Sequence, residues 1–359
     1  TRLPLLSGLL LTTFLVLAGA DAAATTATTE CPAAVADDPR AHCGFVHLDE
    51  TDSTGPVQEI FYVRLEGGPG APILLLPGGP GIPASADLAA WRDRLAGWRL
   101  LRTIILYDAR GTGLSRPSLD CPAIRETQDL EPGHLRACRA QLEAAGAAPA
   151  TLSSRTLAGD VTRLRTALGI DRWYLYGISH GTKVALLAAG QDRSNVAGLV
   201  LDSLRPPWRP FYDDELAAGR RAAMAGLITE CRNAAGCRAH YPGLDTALDT
   251  LFPEGPRNAP PPQAGVVTVL MSRPGTRALA PAAAVALAQG DDPALAGALD
   301  MMQAPTRVSL GHHLALTCRE DMPPRGTAGW SLSHRRTYVE LCATWDMDPV
   351  PTGPPTRLS

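Results

Sequence analysis

The stretch Trp173-Tyr174-Leu175-Tyr176-Gly177-Ile178-Ser179-His180-Gly181-Thr182-Lys183 decides how this chain is read. An apolar, aromatic run ends in G-x-S-x-G, and small residues from Val184 to Ala189 follow at once. That order is the grammar of a strand turning sharply into a helix, with a serine lifted out of the turn. The glycines have a steric reason. The serine backbone is strained, and a Cβ at Gly177 or Gly181 would strike the neighbouring strand or helix. G-x-S-x-G alone recurs by chance, so the surrounding chain must carry the assignment.

Upstream, Ile73-Leu74-Leu75-Leu76 is a continuous apolar run, expected of a strand covered on both faces. It stops at Pro77-Gly78-Gly79-Pro80-Gly81. A glycine turn after a buried strand lets backbone N–H groups point into an open site, and an oxyanion needs such donors. The plainer reading is a turn rich in helix breakers. Thr103 to Tyr107 reads as a second buried strand, followed by Asp108-Ala109-Arg110-Gly111-Thr112-Gly113-Leu114-Ser115. The glycines permit a sharp loop there, and an Asp108–Arg110 ion pair is expected to lock it. Leu157, Val161, Leu164 and Leu168 recur at helical spacing, with Gly169 as the stop. Val196 to Leu201 is a further buried strand ending at Asp202, and Phe45–Leu48 and Glu59–Leu65 read as short strands. The order predicts an α/β fold with a doubly wound, mostly parallel sheet.

From Arg205 the character changes. Pro206, Pro207 and Pro210 break the pattern, and helix-like stretches follow at Asp214–Arg232, Pro281–Gln289 and Pro293–Met302. Residues 205–345 are therefore expected to form a helical cap, inserted after the strand that follows the serine turn, which would shape a pocket and exclude water. At the other end, Arg2, the apolar run Leu3 to Leu17 and Ala18-Gly19-Ala20 read as a signal peptide over residues 1–20. Thr12 and Thr13 interrupt a run already short for a stable membrane anchor. An Ala/Thr-rich linker over 21–42 would lead into a core domain at 43–204.

The chain has 359 residues, a formal net charge of -3 and 45% hydrophobic residues, enough for a real core. Lys183 is its only lysine, and no Lys/Arg run suggests a nucleic-acid partner. Eight cysteines agree with export to a secreted or periplasmic location. Connectivity does not follow from sequence. Pairing of consecutive cysteines is the simplest expectation: Cys31–Cys43, Cys121–Cys138, Cys231–Cys237 and Cys318–Cys342. No C-x-x-C pair has the second pair or histidine spacing that a zinc site needs, so no metal is expected.

The motifs Pro77 to Gly81, Asp108 to Ser115, Gly177 to Thr182 and Val200-Leu201-Asp202 stand in the order of a known family. The chain resembles the exported α/β-hydrolases of the proline iminopeptidase and tripeptidyl aminopeptidase group, from about Cys43 to Asp202 and more loosely to Trp345. Pro77 stands where that family usually has a histidine, a departure also common in its exported branch. The resemblance implies a cofactor-free serine exopeptidase acting on peptide substrates with a free N-terminus. Ser179 would be the nucleophile, and the backbone N–H groups of Gly79 and His180 the oxyanion hole. Leu316-Thr317-Cys318-Arg319-Glu320-Asp321 looks like the family's cap segment ending in acidic residues, which would put Glu320 at the substrate's α-ammonium group. The alternative for Glu320 is a carboxylate on the cap surface.

A serine hydroxyl is a poor nucleophile until a histidine takes its proton and an acid holds that histidine. In this fold the order is Ser, then acid, then His, on the last strands. Here the cap is followed only by Asp346-Met347-Asp348-Pro349-Val350 and a proline-rich stretch, read as the start of a C-terminal core segment (346–359) of an incomplete sheet. Asp202, His312, His313 and His334 read as structural or solvated, and the His180 side chain is expected to point away from Ser179. The acid and base are thus expected beyond Ser359, in a chain truncated at both ends and inactive at this length. Two other readings remain: an esterase or other hydrolase using Ser179, and a non-catalytic hydrolase-like protein if Ser359 is the natural end.

Overall fold

The computed structural model describes residues 25–48, 57–127, 130–209, 214–253, 264–272, 275–290, 308–322 and 332–347. The expected signal peptide, the Pro293–Met302 helix and residues 348–359 lie outside them, as does the side chain of His334.

Among the described residues, six strands form one mixed sheet: β1 Thr25–Thr29, β2 Ala41–Leu48, β3 Gln58–Leu76, β4 Arg102–Tyr107, β5 Trp173–Ile178 and β6 Val196–Asp202. β1 pairs antiparallel with β2, and β2 antiparallel with the first half of β3. β4 runs antiparallel to Tyr62–Leu65 and also stands opposite Ile73–Leu75, where the register advances in step from Ile73 with Ile104 to Leu75 with Leu106. It therefore lies between the two halves of β3. β5 pairs parallel with Ile73–Leu76, and β6 parallel with β5. The parallel part of the sheet is the part that carries the serine turn.

Alternation along the strands feeds two cores. Leu74, Leu76, Ile105, Tyr107, Trp173 and Leu175 face one, and Ile73, Leu75, Ile104 and Leu106 the other. This explains the unbroken apolar runs: a strand buried on both faces has no polar side to show. The first core is closed by the helices Ser154–Ala167 and His180–Gln191, through Leu157, Val161, Leu164, Val184 and Leu187. Ser153 caps the first of these by accepting the Thr156 N–H at 3.0 Å, and Gly169 stops it at φ +64°.

Residues 21–42, expected as a linker, are not one throughout. Thr25–Thr29 is β1, and Val35 is completely buried. The strand's five exposed Ala and Thr residues show no apolar alternation; only backbone pairing with β2 defines it. The stretch expected as one cap divides. The helices Asp214–Asn233, Leu244–Leu251, Ala264–Ser272 and Ala280–Gln289 share a core of their own, with Leu227, Leu248, Val267 and Ala284 inside it. The chain then returns. The helix Leu310–Leu316, a π-helical turn at Thr317–Asp321 and the helix Leu332–Trp345 send Leu314, Leu316, Leu341 and Trp345 into the sheet-side core. Helical periodicity shows that a face is apolar, not which core it meets. Disulfides join Cys31 to Cys43, Cys121 to Cys138, Cys231 to Cys237 and Cys318 to Cys342. The last ties the π-helical turn to the helix behind it. No described helix is long and apolar enough to cross a membrane.

Candidate active site

Ser179 joins β5 to the helix His180–Gln191 at φ +51° and ψ −115°, a backbone conformation that a side chain disfavours. The structure shows what holds it there. A Cβ on Gly177 would lie 2.5 Å from the Gly181 carbonyl oxygen, and a Cβ on Gly181 only 2.0 Å from that of Leu76. The turn closes only because both positions lack side chains. The Ser179 N–H donates to the Asp202 carbonyl at 2.8 Å, and Thr182 Oγ1 donates to the Ser179 carbonyl at 2.6 Å. The strain is thus carried by bonds on both sides of the serine.

The glycine turn after β3 stands against this elbow. A Cβ on Gly78 would lie 3.2 Å from the Ser179 Cβ. Gly79 and Gly81 both adopt positive φ, +112° and +98°. Among the described residues, the N–H groups of Gly79 and His180 have no acceptor. Two unpaired backbone donors beside a strained serine are the arrangement that stabilises negative charge on an acyl oxygen.

The loop after β4 is held differently from expectation. Asp108 is completely buried, and its carboxylate accepts the N–H groups of Ser85 at 2.9 Å and Leu114 at 2.8 Å. Burial raises its pKa, and those bonds pull the other way. Arg110 forms its ion pair with Asp160 of the helix Ser154–Ala167, through Nη2 at 2.7 Å and Nε at 3.0 Å. Asp108 is already saturated by backbone donors, so the guanidinium fork goes to the helix instead.

The histidines near the elbow are all engaged elsewhere. His180 is buried with Nε2 3.0 Å from Ser154 Oγ; burial first, then the charges of Arg205 and Lys183, hold its pKa well below the usual value. Burial lowers that of His312 to about 4, and its Nδ1 bonds the Arg110 carbonyl at 2.8 Å. His313 Nδ1 bonds the Pro80 carbonyl at 3.0 Å, and burial lowers its pKa too. Asp202 ends β6 exposed, with its carboxylate bonded to Ser203 Oγ at 3.0 Å. Among the described residues, no histidine or carboxylate bonds the Ser179 hydroxyl.

Under the elbow lies a buried ionic cluster that the sequence did not announce. Lys183, with no exposed surface, places Nζ 3.0 Å from Glu320 Oε2 and 3.1 Å from Asp321 Oδ1. Arg205 Nη2 lies 2.6 Å from Asp321 Oδ2. The other donors to Glu320 are the Ser154 N–H at 2.6 Å and Ser154 Oγ at 2.5 Å. Glu320 therefore stands neither on a cap surface nor open to a substrate ammonium group: its side chain is fully buried and both oxygens are taken. One signal was available. A chain that uses arginine everywhere else keeps its only lysine inside an apolar helical run, and a buried ammonium requires carboxylates.

Residues 71–221 match a family model described as the alpha/beta hydrolase fold. The strand order, the elbow between β5 and its helix, and the glycine turn agree with it. The fold is that of an α/β-hydrolase. Similar proteins include a proline iminopeptidase of Xanthomonas citri, 32% identical over 132 residues, which are 37% of this chain and 32% of that protein. One from Neisseria meningitidis is 26% identical over 160 residues, 45% of this chain and 39% of its own. A third, from Xylella fastidiosa, is 28% identical over 145 residues, 40% of this chain and 35% of that protein. The chain thus spans about a third of the length of the curated relatives it matches.

Proposed function

We propose that this chain carries the nucleophile and oxyanion donors of an exported serine aminopeptidase, which releases residues from a free peptide N-terminus through an acyl-enzyme on Ser179. The observation that carries the reading is the strained Ser179 beside two unpaired N–H groups, those of Gly79 and His180. A carbonyl attacked by Ser179 Oγ develops negative charge on its oxygen, and these donors are fixed before that charge appears. Likeness to proline iminopeptidases supports peptides as the substrate class. Four disulfides support an oxidising compartment. The separately packed helices of residues 214–289 are assigned the role of cap over the substrate pocket.

The base is assigned to none of the described histidines. His180 turns inward to Ser154, while His312 and His313 bond carbonyls of the two neighbouring loops.

The test uses the full-length protein with aminoacyl-naphthylamides against p-nitrophenyl esters. The reading expects turnover of free-amine amides, lost on N-acetylation, and roughly a 10⁶-fold loss of kcat in Ser179→Ala. Preference for the esters would move Ser179 to an esterase. Unchanged hydrolysis in Ser179→Ala would remove the serine mechanism altogether.

A further inference from the structure

One short segment, Ser309 to Asp321, touches both sources of the proposed oxyanion donors. At its start, the Ser309 N–H donates to the Gly81 carbonyl at 2.9 Å, and the His313 ring nitrogen Nδ1 donates to the Pro80 carbonyl at 3.0 Å. The approach is close enough that a Cβ on Gly81 would lie 2.9 Å from the Ser309 oxygen. The glycine turn is thus gripped by its carbonyls, on the residues that follow Gly79.

At its end, the π-helical turn presents Glu320 and Asp321 to the elbow helix. A π-helical turn inserts extra backbone into a helix and re-aims its side chains, a device frequent at functional sites. Asp321 bridges Lys183 and Arg205, and the Arg205 N–H donates to Thr182 Oγ1 at 2.8 Å, which in turn bonds the Ser179 carbonyl. Glu320 takes Lys183 and both donors of Ser154. With its proton given to Glu320, Ser154 Oγ accepts from His180 Nε2, which fixes the ring whose own backbone N–H is the second donor. Two cations face two carboxylates, so the cluster is electrically closed and offers no free carboxylate to a ligand.

We propose that Ser309–Asp321 is a brace that fixes the Gly79 and His180 donors relative to each other, with Glu320 and Ser154 as positioning residues acting through His180. The inference rests on the serine-hydrolase reading of Ser179. It has a physical motive: the two donors come from segments far apart in the chain, and catalytic groups must be held to within about 0.5 Å. The segment ties them together by short, buried bonds at each end.

The test is the rate at which a fluorophosphonate labels Ser179 in the full-length protein, since the phosphonyl oxygen must occupy the same donors. Ser154→Ala keeps the Lys183–Glu320 pair and the Ser154 N–H bond, so it is expected to fold. The brace expects its labelling and kcat to fall about 10²-fold with KM unchanged, at a melting temperature lowered by the lost buried bonds, and Ser154→Thr to restore them. Wild-type labelling rates in Ser154→Ala would overturn the brace and leave the serine-hydrolase reading standing. No labelling of the wild type would overturn both. A Glu320→Gln variant labelled at the wild-type rate, but with KM raised only for free-amine substrates, would also overturn it and return Glu320 to the substrate.

Discussion

At the scale of single residues, the elbow is set by what two glycines lack. Gly181 has no space for a side chain: its Cβ would sit 2.0 Å from a strand carbonyl, which cannot rotate away. Gly181→Ala is expected to lose at least ~3 kcal/mol of stability, read as a lower urea midpoint at unchanged slope. Gly133 is the internal control. It lies in the helix Pro132–Ala144 with nothing within 4 Å of its would-be Cβ, and Gly133→Ala should gain about 0.4–1 kcal/mol through the unfolded state. Equal effects at the two positions would show that the elbow is not sterically closed. The G-x-S-x-G spacing was legible because its demand is local. The partners of Lys183 were not, since Glu320 and Asp321 stand in a distant segment and nothing near Lys183 names them.

At the scale of elements, buried strands were read well where both faces are covered, as at Ile73–Leu76 and Thr103–Tyr107. β1 is not legible in the sequence, because its side chains are all exposed and its existence rests on pairing with β2. The loop after β4 is legible in its glycines, but its anchor is not. Arg110 binds Asp160, nearly fully buried, and so ties that loop to the helix beneath the elbow. Removing one partner of a buried pair leaves an uncompensated charge. Asp160→Ala is therefore expected to cost about 3–5 kcal/mol, measured by chemical denaturation. A loss below about 1 kcal/mol would mean that the pair is not desolvated in solution. The helices after residue 205 were legible as helices, yet their division between two cores depends on contacts that helical spacing does not encode.

At the scale of the whole molecule, the buried histidines link folding to pH. His180, His312 and His313 all have pKa values lowered by burial, that of His312 to about 4. In the unfolded chain these rings titrate near 6.5. Between those values the unfolded state binds protons that the folded state refuses, so stability falls as pH drops below about 6.5. For His312 alone the slope is about 1.4 kcal/mol per pH unit until about pH 4. Thermal melts from pH 7 to pH 5 should show this loss, with a shallower slope in His312→Gln; identical slopes would mean that His312 titrates normally in the fold. The sequence by itself determined the strands buried on both faces, the glycine turn and the strained serine turn, because each follows from local sterics and from the periodicity of burial. Only the tertiary structure decided which core the late helices join, that Arg110 reaches Asp160, and that Glu320 and Asp321 close around Lys183. Those outcomes depend on which distant segments meet, and the buried charges are stable only where an opposite charge arrives from elsewhere in the chain.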